Sequence, residues 1–169
     1  MKAKLIIEDK EIEVEISEEE YKKLQPSEEK KTGYERVPEL DIYFYANSSG
    51  CVETACEDYY DVDNEYYESV NYYSDKTVAE NNARADKLMR QLRRFAVEHR
   101  ECGLNFNDIN AEKYYIYYDC SDNELGVTFT FVARVFGVIH FDSEETAQAA
   151  INEFHDELIW YFTEYKDSL

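Results

Sequence analysis

Glycine is scarce: five residues in 169 are few for a loop that cradles phosphate through its backbone amides, and no such motif is present. No apolar run approaches the length of a membrane span, and the charged start Met1-Lys2-Ala3-Lys4 leads into no signal-peptide core, so a cytoplasmic location is expected. The four cysteines (Cys51, Cys56, Cys102 and Cys120) lack the two tight pairs that structural zinc sites use, and His99, His140 and His155 form no pair at ligand spacing. Free thiols, no metal and no cofactor are the expectation; the alternative is that these distant residues converge on zinc in the fold. A Gly-x-Ser-x-Gly elbow, a metalloprotease His-Glu pair and a deaminase-type Cys/His arrangement are all missing. Carboxylates are too abundant for any one pair to be singled out as a glycosidase couple. The chain is expected not to be an enzyme.

Positive charge is the next shortage. Eighteen basic residues face 38 acidic ones, a net charge of −20. A field of that sign repels phosphate, so direct binding of nucleic acid or of an anionic membrane surface is not expected. The imbalance is uneven along the chain. From Val37 to Asp75 there are ten acids and no lysine or arginine; from Lys76 to Arg100 the balance reverses, with seven bases against three acids. Hydrophobic residues at 44% and aromatics at 15% are enough for a folded core, and the length predicts one main domain.

The periodicities divide that domain. Leu5-Ile6-Ile7 and the alternation Glu11 to Ile16 predict a hairpin, and Ser17 with Glu20 forms a capping box for a short helix ending before Pro26. Residues 1–25 thus form an N-terminal appendage or sheet edge, residues 26–36 a linker, and residues 37–169 the main domain. Within it, Asp41–Ala46 and Cys51–Cys56 predict a second hairpin around Asn47-Ser48-Ser49-Gly50. Ser74 is the expected cap of a long helix over 76–99, whose residues Val78, Ala85, Leu88, Met89, Leu92, Phe95 and Ala96 share one face. Lys113–Asp119, Gly126–Phe131 and Val135–Phe141 read as strands. Ser143 with Thr146 opens a helix that Asp156–Tyr165 continues or restarts. No internal repeat is evident. The expected class is α+β, a mainly antiparallel sheet packed by one long helix and a C-terminal helical segment.

Four constellations invite a functional reading. Asp61-Val62-Asp63-Asn64-Glu65 imitates a calcium loop, but Tyr66 and Tyr72 stand where the turn glycine and bidentate glutamate belong. The wider segment is more informative as a surface: Glu57, Asp58, Asp61, Asp63, Glu65 and Glu68 lie together without a compensating base. If extended, it would set Asp61, Asp63 and Glu65 in a row at about the spacing of strand phosphates. Tyr59, Tyr60, Tyr66 and Tyr67, interleaved with the acids, would supply contact area at low entropic cost. The competing reading is a solvated acidic loop whose tyrosines half-bury against the sheet. The basic helix face, Arg84, Lys87, Arg90 and Arg94, is expected to pair with the chain's own carboxylates. Tyr114-Tyr115 and Tyr117-Tyr118 read as sheet packing, and His140, beside Asp142, and His155 as satisfied surface histidines.

Asn71-Tyr72-Tyr73-Ser74-Asp75 running into Ala79 through Ala96, and Phe136-Gly137-Val138-Ile139-His140-Phe141-Asp142-Ser143 continued through Phe162, resemble segments of uncharacterised phage and prophage proteins of Firmicutes. With Lys113–Asp119 the resemblance spans roughly residues 34–169, and its motifs are structural rather than catalytic. What the resemblance implies is a setting, the cytoplasm of an infected or lysogenic host. Small acidic phage proteins without an enzyme signature are often inhibitors of host defence, and type II-A anti-CRISPR proteins often act on the effector nuclease or its DNA channel. The expected function is inhibition of such a complex by an acidic, tyrosine-rich surface that mimics DNA. The alternative is a non-enzymatic phage adaptor or regulatory protein that binds another phage protein.

Overall fold

The computed structural model describes residues 2–7, 10–15, 17, 31–101 and 103–169, in two compact units, Met1–Lys31 and Thr32–Leu169. The first unit contains an antiparallel hairpin, β1 (Lys2–Ile7) and β2 (Lys10–Glu15), in register from Lys2 opposite Glu15 to Ile7 opposite Lys10. The short helix expected after Ser17 lies outside the described residues. Residues 32–36, expected to be linker, belong to the larger unit and are packed into it. Gly33 is buried with φ +92°, and a Cβ there would stand 2.7 Å from Val78 Cγ2. Only glycine fits that approach.

The larger unit is α+β, and its strands pair antiparallel. They form separate two-stranded sheets rather than the one sheet expected: β3 (Ile42–Ala46) with β4 (Val52–Cys56), and β5 (Lys113–Asp119) with β6 (Glu124–Thr130). Four helices accompany them: α1 (Asp61–Glu68), α2 (Lys76–Glu98), α3 (Glu144–Glu153) and α4 (His155–Thr163). The third expected strand, Val135–Phe141, is reduced to a single bridge at Phe141. The C-terminal helical segment breaks at Phe154 and restarts at His155.

A repeat that periodicity did not reveal organises this unit. Twice the chain runs hairpin, bridged aromatic, capped helix. Tyr73 bridges to Phe44 and Phe141 to Tyr114, each through two backbone hydrogen bonds of 2.8–3.0 Å. Two residues later comes the cap: Asp75 accepts from Val78 N at 3.0 Å, and Ser143 Oγ from Thr146 N at 3.1 Å. Asp75 thus replaces Ser74 as the cap of α2, while the Ser74 hydroxyl donates to Glu35 Oε2 at 3.0 Å. Val78-Ala79 and Thr146-Ala147 follow, all buried. The shared signature, aromatic-x-cap-x-x-(Val/Thr)-Ala, is too short and its intervening loops too unequal to stand out in sequence.

The long helix serves both halves. Val78 and Ala79 in its first turns pack with Tyr73, against Phe44 and Val52 of the first hairpin. Leu88, Leu92 and Ala96 further along join Ile116, Phe141, Ala147, Ile151 and Leu158 in the main core. A helix of 23 residues is about 35 Å long, long enough to serve as the common spine of two small half-cores.

Candidate partner-binding surface

Chemistry in residues 57–73 begins with a buried carboxylate. Glu57 is 0% exposed and is held by four donors. Arg36 Nε and Nη2 each donate at 2.9 Å, Tyr72 OH at 2.7 Å and the Tyr59 backbone N–H at 2.9 Å. These donors, the Arg36 guanidinium first, hold its pKa down at about 2. Asp63, 3% exposed, is satisfied too. It accepts from the Tyr60 N–H at 3.0 Å, closing the start of α1, from the Asp58 N–H at 3.2 Å and from Tyr43 OH at 2.8 Å. Two of the six acids expected to face a partner therefore point inward, because a helix start and an arginine each needed an anion.

The segment is helical, so the row that an extended conformation would set does not form. Asp61, Asp63 and Glu65 do not share a face in α1. Asp61, Glu65 and Glu68, at positions i, i+4 and i+7, do, with Cβ atoms about 5–6 Å apart along the stripe. They and Asp58 are exposed, and none of the four is in an ion pair among the described residues. The imitation calcium loop is accordingly a helical turn with one of its acids buried. Among the described residues no three of His, Cys, Asp and Glu are grouped as a metal would need. Cys51, Cys56 and Cys120 are free and exposed, and Cys102 lies outside the described residues.

The tyrosines divide in the same way. Tyr43 stacks on Tyr72 with centroids 4.1 Å apart, Tyr45 stacks on Tyr66 at 4.3 Å, and Tyr67 meets Tyr72 edge-on at 5.4 Å. This stack is the local core of the first hairpin, so Tyr66 is packing material rather than a free anchor. Burial, with the carboxylates they donate to, raises the pKa of Tyr43 and Tyr72 above the ordinary phenol value. Tyr59, Tyr60 and Tyr67 remain exposed, Tyr60 at 69%. Arg36 lies over the rings of Tyr59 at 4.6 Å and Tyr67 at 5.3 Å, fixing two of the three in place.

Exposed apolar residues border the tyrosines. Leu40, Ile42, Val62 and Val70 are open to solvent, and the Leu40 N–H donates to the Glu57 carbonyl at 2.8 Å. Leu40, Tyr59 and Val70 have φ of +72°, +56° and +58°, a left-handed conformation that non-glycine residues adopt at a cost. Residue-by-residue reading missed Arg36, which anchors the arrangement from the expected linker. Its signal was available: it is the nearest base ahead of a block of ten acids that contains no lysine or arginine.

The basic face of α2 is partly self-neutralised. Arg84 makes a two-point pair with Glu157 at 2.8 and 3.2 Å and lies 3.9 Å from the Trp160 ring, and Arg94 reaches Glu98 at 3.9 Å. Tyr118 stacks on Phe162 and Tyr114 packs on the main core, in keeping with sheet packing. His155 is exposed beside Asp156, whereas His140 is buried rather than at the surface, between Phe106 and Tyr115. Among the described residues no helix is long and apolar enough to cross a membrane. No family model, curated protein or solved structure matches the chain.

Proposed function

We propose that the protein acts by binding rather than catalysis, as a phage-encoded inhibitor of a host nucleic-acid-targeting defence complex, with a type II-A CRISPR effector nuclease the first candidate. The observation that carries this reading is the carboxylate stripe Asp61, Glu65 and Glu68, with exposed Asp58 ahead of the helix, none of them in an ion pair among the described residues, beside exposed Tyr59, Tyr60 and Tyr67. Carboxylates at this spacing can occupy arginines and lysines that otherwise grip a nucleic-acid backbone, and the tyrosines supply the desolvated contact area that keeps a docked complex together. A net charge of −20 speeds the encounter with a basic channel.

The test is capture of effector nuclease from a CRISPR-bearing host, followed by DNA cleavage with purified components. Asp58→Asn, Asp61→Asn, Glu65→Gln and Glu68→Gln combined should abolish inhibition with the fold intact. Each desolvated charge contact is worth about 2–5 kcal/mol when one partner is truncated. Full inhibition by that variant removes the acidic stripe from the mechanism, and failure to bind effectors from several Firmicutes hosts removes the target. The exposed Leu40, Ile42 and Val62 favour a second reading, an adaptor for another phage protein. Salt separates the two: mimicry of DNA weakens steeply with ionic strength, and an apolar contact does not.

A further inference from the structure

A second feature lies on the opposite end of α2 from its cap, and its charge is of the other sign. A cavity of about 540 Å³ opens between the last turns of α2 and the 134–140 segment, lined by Arg93, Arg100, Arg134 and His140 over apolar walls that include Met89 and Phe106. Among the described residues no carboxylate lines it. Arg36, Lys76, Arg84 and Arg94 each have an acidic partner, whereas Lys87 and Arg90 of α2 have none among the described residues. Arg93, Arg100 and Arg134 have none among the described residues. His140 is 7% exposed, and its Nε2 is buried without a hydrogen-bond partner. His140 lines the cavity, and a buried ring nitrogen without a partner costs free energy, which a small rearrangement on ligand binding could recover. Arg134 lies 4.6 Å from the Phe106 ring, and Phe106 meets His140 edge-on at 5.2 Å, so charge and aromatic wall are held together.

We infer that this cavity binds a small phosphomonoester carried on an aromatic or apolar body, with Arg93, Arg100, Arg134 and His140 around the phosphate and Met89 and Phe106 against the body. Three planar guanidiniums offer more paired N–H donors than the two oxygens of one carboxylate can accept, whereas a phosphate presents three terminal oxygens. The volume falls in the range of small-molecule sites, about 300–1,000 Å³. The cavity's size suits a small ligand, and the chain's net charge of −20 disfavours a long polyanion. Burial and the cations Arg134 and Lys113 hold the His140 pKa below its usual value, which favours the neutral ring beside the arginines.

The experiment titrates the full chain at low salt with phenyl phosphate, adenosine monophosphate, inorganic phosphate and benzoate, by calorimetry and by the imidazole resonances of His140. At least one of the two esters should bind about tenfold or more tighter than inorganic phosphate or benzoate, moving the His140 resonances. Arg93→Ala with Arg134→Ala should weaken that ester about thirtyfold or more, and Arg134→Lys should weaken it by less, as loss of a two-point contact requires. Arg84→Ala, outside the cavity, should leave it unchanged. Absence of ester binding at millimolar concentration overturns the inference. So does inorganic phosphate or benzoate binding as tightly as the esters, or ester affinity that survives the double variant in a protein with native near-ultraviolet circular dichroism.

Discussion

Glu57 illustrates how one buried carboxylate can matter more than a surface row of them. Its four donors come from a segment expected to be linker, from its own loop and from the tyrosine stack, so it ties three stretches of chain to one point. Glu57→Gln keeps the shape but removes the charge that Arg36 pairs with. Arg36 is 25% exposed and can recover some hydration, so the loss should be about 2–3 kcal/mol, below that for a fully buried pair, read as a lower urea midpoint. The sign of the pH dependence follows from the depressed pKa. The stabilisation is fully present above the ordinary glutamate value of 4.5 and is lost as pH falls from there towards about 2. The difference in stability between wild type and variant should therefore shrink over that interval, as paired urea titrations at pH 6, 4 and 3 would measure. Val70 offers the opposite case, a β-branched residue at φ +58° with an exposed side chain. Val70→Asn should raise stability by about 1 kcal/mol, since Asn tolerates that region and little burial is given up.

Among the elements, the two capped helices show what the repeat does. Asp75 and Ser143 occupy equivalent positions, two residues after a bridged aromatic, and each satisfies an otherwise unpaired N–H of the first turn. Asp75→Ala and Ser143→Ala should each cost about 1 kcal/mol and add in the double variant, because the two caps share no partner. Non-additive thermal denaturation data would mean that the two halves communicate through α2. The elements also explain why the tyrosines misled. An eight-residue helix beside a two-stranded hairpin has too little area for an aliphatic core. Stacked rings at 4.1 and 4.3 Å supply large buried surface while their hydroxyls still reach carboxylates at the margin. Aromatic enrichment in an acidic segment can thus signal local packing, as Tyr43, Tyr45, Tyr66 and Tyr72 do here.

For the whole molecule, charge acts in two directions. A net charge of −20 repels itself in the compact state, so raising salt from about 20 mM to about 0.5 M should stabilise the fold by about 1 kcal/mol, or roughly 2–4 °C in Tm. The same screening should weaken inhibition of a basic target. Stability and binding moving oppositely with salt is thus the signature expected of a charge-steered inhibitor. The division into Met1–Lys31 and Thr32–Leu169 carries a further expectation. The Leu169 N–H reaches the Thr32 carbonyl at 3.2 Å, so the larger unit has its two ends together, and both half-cores lie within it. A fragment starting at Thr32 should unfold cooperatively and give a dispersed amide spectrum. A fragment without a thermal transition would show that the larger unit depends on the residues before it.

Much of the architecture was legible from spacing alone. The α+β class, the long helix with its apolar face, the two hairpins and the C-terminal helical segment each follow from local rules of period, turn chemistry and capping. The positions of the negative blocks were equally plain, since charge is a property of composition. Which acids face solvent was not. An isolated sequence cannot distinguish Glu57 from Glu68, because the difference is a guanidinium 21 residues away in chain and 2.9 Å away in space. Asp63 was drawn inward by a helix start and a tyrosine hydroxyl, His140 by ring packing, and Arg36 out of its linker by the anion it neutralises. Local propensity sets elements over a few residues, whereas burial of charge is decided by whichever partners the fold brings within hydrogen-bonding distance. The sequence determined where the negative charge resides; only the tertiary structure decided which of it is available to a partner.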